Sequence, residues 1–295
     1  MKYLLLAFSF LFALTVEAKT VKIIVPFTAG GPADRISRLI EKQLDSDQYQ
    51  FQIEYRLGAG GLVASNYVAS AKETVIMIHS NGFIASPILN STNTTHDVVK
   101  DFILIDHLGA EPLYLVVNSN SKINNFKEFV EQGKTQYMPY GSGGVGTSGH
   151  VTGEIISRNN PNFVHVPYKG SANIVMDILN ENIKWIVDSD MNIGSFIEDR
   201  KIKPLAVAFP HRSSKYPNVP TLKEVGVDDM NYYRWYLVLA NKSADPKIVE
   251  YVLTKLKDPS FRSRIQQLGV EPVKVNKDTF IIEETEKTKR LLKKI

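Results

Sequence analysis

The sequence predicts an α/β fold of two mainly parallel sheets arranged as two lobes, and three observations carry that reading. Apolar runs of strand length alternate with helix-length amphipathic stripes along nearly the whole chain. Glycines cluster where such a run gives way to such a stripe. Polar, turn-forming residues collect at two places and bracket a central block of about a hundred residues.

Residues 1–18 stand apart from this alternation. Lys2 is followed by an apolar stretch from Leu4 to Leu14 and then by Val16-Glu17-Ala18, the pattern of a secretory signal cut after Ala18. The alternative, a membrane anchor, needs about 20 apolar residues, more than this stretch supplies. The first element after it is residues 21–27 (VKIIVPF), a continuous apolar run suited to a strand covered on both faces. Residues 32–44 start with proline and repeat Ile36, Leu39, Ile40 and Leu44 at helical spacing. A strand at 51–57, a helix at 61–71 and a strand at 74–79 follow. Strands are next expected at 102–108 and 113–118, then a short helix at 125–132. The central block continues as strand 135–140, helix 147–158, strand 163–168, helix 171–180, strand 183–188, helix 193–199 and strand 203–209. A last strand covers 233–240, where Trp235 and Tyr236 read as core. From Pro246 onward the pattern gives three helices and one short strand near 270–275, with a lysine- and glutamate-rich closing helix.

The polar clusters at 118–125 and from 211 to about 231 are the expected boundaries. Residues 19–117 and 232–295 are expected to form lobe 1, and residues 118–231 lobe 2. Two chain crossings make a hinge, and a hinge between two lobes makes a cleft.

Composition removes several function classes. The 295 residues contain no cysteine, which excludes disulfide scaffolds, thiolate zinc sites and cysteine nucleophiles. The six histidines include no H-E-x-x-H pair. A net charge of +4, spread along the chain, gives no basis for nucleic-acid binding. No segment after the signal is long and apolar enough to insert in a membrane. An exported chain without cysteine is expected in a bacterial periplasm, acting as a monomer with no cofactor and no metal.

Ten of the 18 glycines lie in three windows, at 28–34 (TAGGPAD), 58–61 (GAGG) and 141–149 (GSGGVGTSG). Each window follows a strand and opens a helix, where unpaired N–H groups and the positive end of the helix dipole make a seat for an anion. Open α/β sheets carry ligands at the carboxyl ends of their strands, which is where these loops fall. Three anion seats pointing at one cleft predict a small acidic ligand held by main-chain amides, with no arginine required. Other readings fit less well. Gly141-x-Gly143-x-x-Gly146 matches a dinucleotide fingerprint in letters, but the next strand carries no acidic residue to hold a ribose. No P-loop is present. Ser142 and Ser148 lack glycines at both −2 and +2, so no nucleophile elbow is formed. Ser142 and Thr147 also read as helix caps, and His150 as a first-turn residue packed on its loop. Asp34 would repel an anion and is expected to organise its loop. Asp188, at a strand end, is expected either to cap the next helix or to bind a ligand's ammonium or hydroxyl.

Five segments occur in order: VPFTAGGPAD (25–34), RLGAGG (56–61), YGSGGVGTSGH (140–150), VPYKGS (166–171) and RSSKYPNVPTLKEVG (212–226). Together they resemble the Bug-type extracytoplasmic solute receptors of the tripartite tricarboxylate transporter group. The resemblance implies a type II periplasmic binding-protein fold, closing on a small organic carboxylate and delivering it to membrane permease subunits. In that family the loops matching 27–33 and 56–61 hold a carboxylate through backbone N–H groups and ordered water, and the loop matching 142–150 caps it from the other lobe. The ligand contacts implied in the first lobe are Phe27, Thr28, Ala29, Gly30, Gly31, Gly60, Gly61 and Ser80. Those implied in the second are Ser142, Thr147, Ser148, His150 and Asp188. Leu57, Lys72-Glu73-Thr74, Leu237 and Asn241 depart from the family pattern near the cleft rim. The remaining alternatives are an exported α/β enzyme, either a hydrolase or nucleotide-dependent, and a receptor that signals to a sensor kinase.

Overall fold

The computed structural model describes residues 18–227 and 232–294. The expected signal segment thus lies outside the described residues except for Ala18. Ten strands are present among the described residues: β1 (Lys19–Val25), β2 (Tyr49–Tyr55), β3 (Val75–His79), β4 (Phe102–Glu111), β5 (Leu113–Asn118), β6 (Tyr140–Ser142), β7 (His165–Pro167), β8 (Trp185–Ser189), β9 (Ile202–Ala208) and β10 (Arg234–Asn241). They form two five-stranded sheets, in the orders β2-β1-β3-β10-β4 and β7-β6-β8-β5-β9. The α/β two-lobed class expected from the sequence is the one found.

The expectation of mainly parallel pairing needs a correction. In the first sheet β10 runs antiparallel to both neighbours, and in the second β5 does the same. In each sheet the reversed strand is the first one laid down after the chain crosses between sheets. Chain direction at a crossing thus decides the pairing sense, and the apolar runs of β5 and β10 carry no mark of it.

The first crossing is at Pro112, between β4 and β5. The sequence places this boundary at 117/118, in the polar run, and so leaves β5 with the wrong sheet. Leu113–Asn118 pairs with β8 and β9 and is the second sheet's interior strand. The second crossing lies between β9 and β10; residue 231, on which that boundary was placed, is outside the described residues.

Both faces of each sheet are covered, as continuous apolar strands require. The helices are α1 (Pro32–Leu44), α2 (Leu62–Ser70), α3 (Gly82–Leu89), α4 (Phe126–Thr135), α5 (Ser148–Ser157), α6 (Ile174–Leu179), α7 (Asp190–Glu198), α8 (Pro246–Leu256), α9 (Pro259–Gln267) and α10 (Lys277–Leu292). β10 shows how the layers share one strand. Tyr236, Val238 and Ala240 face α1, α8 and α9, whereas Trp235, Leu237 and Leu239 face α2, α3 and α10. Asn125, Asp245, Asp258 and Asn276 cap α4, α8, α9 and α10 through side-chain bonds to helix N–H groups, each stabilising by ~1 kcal/mol.

Helix α3 is the element absent from the sequence reading. Its residues Gly82 to Pro87 are all buried, so it has no polar face, and Pro87 inside it reads as a breaker. The strand expected near 270–275 is only a bridge, in which Ala110 and Glu271 exchange backbone bonds of 2.8 and 2.7 Å. The expected strand 135–140 starts only at Tyr140.

Candidate functional site

Residues just past the carboxyl ends of β1, β3 and β6 (Phe27, Ser80 and Gly143) come together at one place. A cavity of about 30 Å³ remains there, lined by Phe27, Gly31, Pro32, Ala33, Ser80, Gly143, Thr147, Ser148, Ser171, Arg234 and Tyr236. At about 10–15 Å³ of accessible space per water, that is room for a few water molecules.

Two helix starts meet at this cavity from opposite sheets. Helix α1 begins at Gly31 with no side-chain cap, and Pro32 in its first position has no N–H to offer. Ala33, in the first turn, lines the cavity, and first-turn amides of a helix have no intrahelical partner. Asp34 organises the turn, as expected: its carboxylate accepts from Gly30 N (2.8 Å), the Tyr55 hydroxyl (2.6 Å) and Arg38 Nε (3.1 Å). Burial works against its charge, but these donors prevail and hold it below the usual carboxylate range. Helix α5 starts at Thr147, again without a side-chain cap. The expected capping by Ser142 and Thr147 is not found, because both hydroxyls turn back into the loop. Thr147 Oγ1 donates to Gly144 O at 2.7 Å, and Ser142 Oγ lies 2.6 Å from His165 Nε2.

The middle glycine loop belongs to the contact between the lobes. Gly60 has φ +62°, and a Cβ there would lie 1.9 Å from Val145 O in the third loop. The Ser86 hydroxyl is 3.0 Å from both Gly60 O and Val145 O and joins the two sides. Gly61 packs on the His79 ring, whose Nδ1 accepts from Ser80 N at 2.9 Å. Complete burial pushes His79 down to about 3, so it stays neutral.

The charged centre of the site is Arg234, only 6% exposed. From β10 it reaches across to the second sheet: Nε to Ser148 Oγ (2.9 Å), Nη1 to Ser189 Oγ (2.9 Å) and Nη2 to Asp188 Oδ1 (3.0 Å). Asp188 also accepts from Ser189 N and from Asn192 Nδ2. Its carboxylate thus orients the arginine and does not cap α7, where Ser189 holds the cap position. Glu111 lies 3.8 Å from Arg234 Nη1, accepts from the Tyr236 hydroxyl at 2.6 Å, and receives the Met191 N–H at 3.3 Å. Burial lifts the Glu111 carboxyl to about 7, with Arg234 pulling the other way. Burial alone would weaken the arginine's hold on its proton; Tyr236, Asp188 and Glu111 outweigh it and raise that hold.

Of the residues expected at the ligand, Phe27, Gly31, Ser80, Thr147 and Ser148 line the cavity. Thr28, Ala29, Gly30, Gly60, Gly61, Ser142, His150 and Asp188 are not among its lining residues. Thr28 Oγ1 is buried without a partner among the described residues, against Gly170 of the other lobe. His150 Nδ1 accepts from Gly146 N at 3.2 Å, the loop-packing role expected of it.

The sequence reading missed Arg234, Glu111 and the place of Tyr236 in the cavity lining. The available signal was a lone cation in an otherwise apolar strand (RWYLVLA), a placement that requires a buried partner. It also missed a serine–histidine pair. Ser142 and His165 are within bonding distance, yet no carboxylate among the described residues bonds His165. Burial, followed by the neighbouring His150, pushes that ring down to about 3. Ser142 Oγ is shared with Gly144 N and O, so the pair ties the loop together. Among the described residues no metal-binding cluster is found.

Known proteins resemble this chain over most of its length. BugT of Bordetella pertussis is 26% identical over 242 residues, covering 80% of this chain and 74% of BugT. A solved periplasmic transporter structure is 27% identical, covers 92% of this chain and 95% of its own, and superposes with a TM-score of 0.82. An R. palustris protein solved with adipate is 24% identical, covers 94% and 97%, and gives 0.84. The family model of the tripartite tricarboxylate transporter family receptors matches residues 36–295. The solved structures this chain resembles include the periplasmic binding protein BugD, and the chain belongs to this receptor family.

Proposed function

We propose that this chain is a periplasmic receptor that closes two lobes on a small organic carboxylate and presents it to the permease subunits of a tripartite tricarboxylate-type transporter. The observation that carries the reading is the meeting of two helix N-termini, α1 and α5, at one cavity from opposite sheets. Their free amides and aligned dipoles favour a carboxylate, and hydrogen bonds to a charged group contribute ~1.5–3 kcal/mol each. Export would proceed through residues 1–18, and the cleft would have to open to admit a ligand larger than a few waters. The loops holding the acid would be those at 27–33 and 142–150, with the 56–61 loop controlling how closely the lobes meet. Adipate in the R. palustris neighbour supports an organic acid as the class of ligand.

The test is a thermal-shift and calorimetric screen of mono-, di- and tricarboxylates, amino acids and aromatic acids against the mature chain. Stabilisation by at least one acid, increasing with its concentration, is expected. No response to any acid, or a response to NAD instead, overturns the reading.

A further inference from the structure

Two residues that line the cavity, Arg234 and Tyr236, face a carboxyl group that does not line it, that of Glu111. The cluster they form is buried, with Glu111 at 0%, Asp188 at 2% and Arg234 at 6% exposure, so charges within it are poorly screened. Arg234 donates to Asp188, Ser148 and Ser189, and Glu111 and Tyr236 face its terminal nitrogens. No donor is left over for an entering acid. Asp188 offsets the arginine's charge, and Glu111, when ionised, leaves the cluster with one negative charge in excess. The other elements around Glu111 add no cation to this count. β5 brings Tyr114 and α7 the Met191 N–H. The Asp190 carboxylate of α7 is taken by Lys215 and Tyr216. Glu271, bonded to Ala110 through its backbone, has its exposed carboxylate beside His211. The Tyr236 hydroxyl and the Met191 N–H favour the ionised form of Glu111, whereas burial favours the neutral one and prevails.

We propose that Glu111 is a proton site coupled to the acid site: a carboxylate entering the cavity makes Glu111 take up a proton from solvent, so that acid and proton are bound and released together. This rests on the receptor reading above and concerns how that site is regulated. The ground is charge. An acid in the cavity adds a second negative charge beside Arg234 and Tyr236, one side chain away from Glu111, and the proton removes one. A neutral carboxyl still accepts from Tyr236 and no longer draws on the charge of Arg234. Without acid, Glu111 releases its proton near 7; beside an acid it holds it to higher pH. Below both values binding takes up no proton. Between them it does, and affinity falls as pH rises.

The experiment titrates the mature chain calorimetrically with acetate, succinate and adipate, which are ionised at neutral pH, in Tris and in HEPES at pH 7 and pH 8. The difference in heat between the buffers counts protons. If an acid raises the hold of Glu111 by one pH unit, uptake is about 0.4 proton per acid at pH 8, and affinity falls about threefold from pH 7 to pH 8. Wild type is expected to show at least these values. Glu111→Gln is expected to bind with no uptake and with level affinity. Tyr236→Phe serves if that variant does not fold: it removes a donor to the ionised carboxylate, so uptake at pH 8 is expected to shrink and the fall in affinity to move above pH 8. Acid binding without proton uptake in wild type overturns the assignment and leaves the receptor reading standing. Uptake that persists in Glu111→Gln, or is unchanged in Tyr236→Phe, does the same. If none of the three acids binds, the acid with the largest response in the thermal-shift screen replaces them. If no acid binds at all, the receptor reading fails and the proton coupling with it.

Discussion

Glu111 offers a measurable consequence of burying a carboxyl group beside the hinge. It ends β4, directly before the crossing at Pro112, and is completely buried. Around it are Arg234 and Tyr236 from β10, Asp188 and Ser189 from β8, and the Met191 N–H of α7. Desolvation dominates, and the carboxyl loses its proton near 7 in the fold against 4.5 in the unfolded chain. The folded state therefore holds a proton that the unfolded chain has released between these two values, so stability falls as pH rises from 4.5 to about 7 and is level beyond. At 1.36 kcal/mol per pH unit, the loss over that interval is roughly 3 kcal/mol. Glu111→Gln keeps the shape, cannot ionise and removes the slope. Urea unfolding of both proteins at pH 5 and pH 8 is the assay. The variant is expected to gain roughly 3 kcal/mol on wild type between those values. Other titrating groups cancel in the difference, including His79, which is held near 3 by burial and loses stability in the opposite direction, as pH falls below 6.5. Parallel stability profiles would refute the reasoning and mean that Glu111 is charged throughout.

Gly60→Ala places a Cβ 1.9 Å from Val145 O and puts alanine at φ +62°, a conformation costing roughly 1–2 kcal/mol for an L-residue. The lobes are expected to be held apart, with a larger radius of gyration by small-angle scattering and acid affinity reduced at least tenfold; an unchanged radius and affinity would contradict the contact. Asn241→Ala removes the acceptor of Val75 N and the donor to Ala71 O and Glu73 O inside the first lobe. Each buried backbone group left unpaired costs roughly 1–3 kcal/mol, a loss readable by urea unfolding, and ligand selectivity is expected to stay unchanged.

Local sequence determined the alternation of strands and helices, because a strand buried on both faces and a helix buried on one leave different periodicities in the chain. It also determined that the glycine loops open helices, since a glycine cluster between the two patterns has few other uses. From these, the main-chain part of the site could be read at Gly31, Thr147 and Ser148. The tertiary structure decided what depends on partners distant in the chain. It placed β5 in the second sheet and reversed β5 and β10, because pairing sense is set by where a crossing enters the sheet. It formed α3, whose buried stretch from Gly82 to Pro87 has no periodicity to read. It joined Arg234 to Ser148, Asp188, Ser189 and Glu111, residues 45 to 123 positions away. A charge in an apolar strand shows in the sequence that a partner must exist; only the folded lobes determine which one.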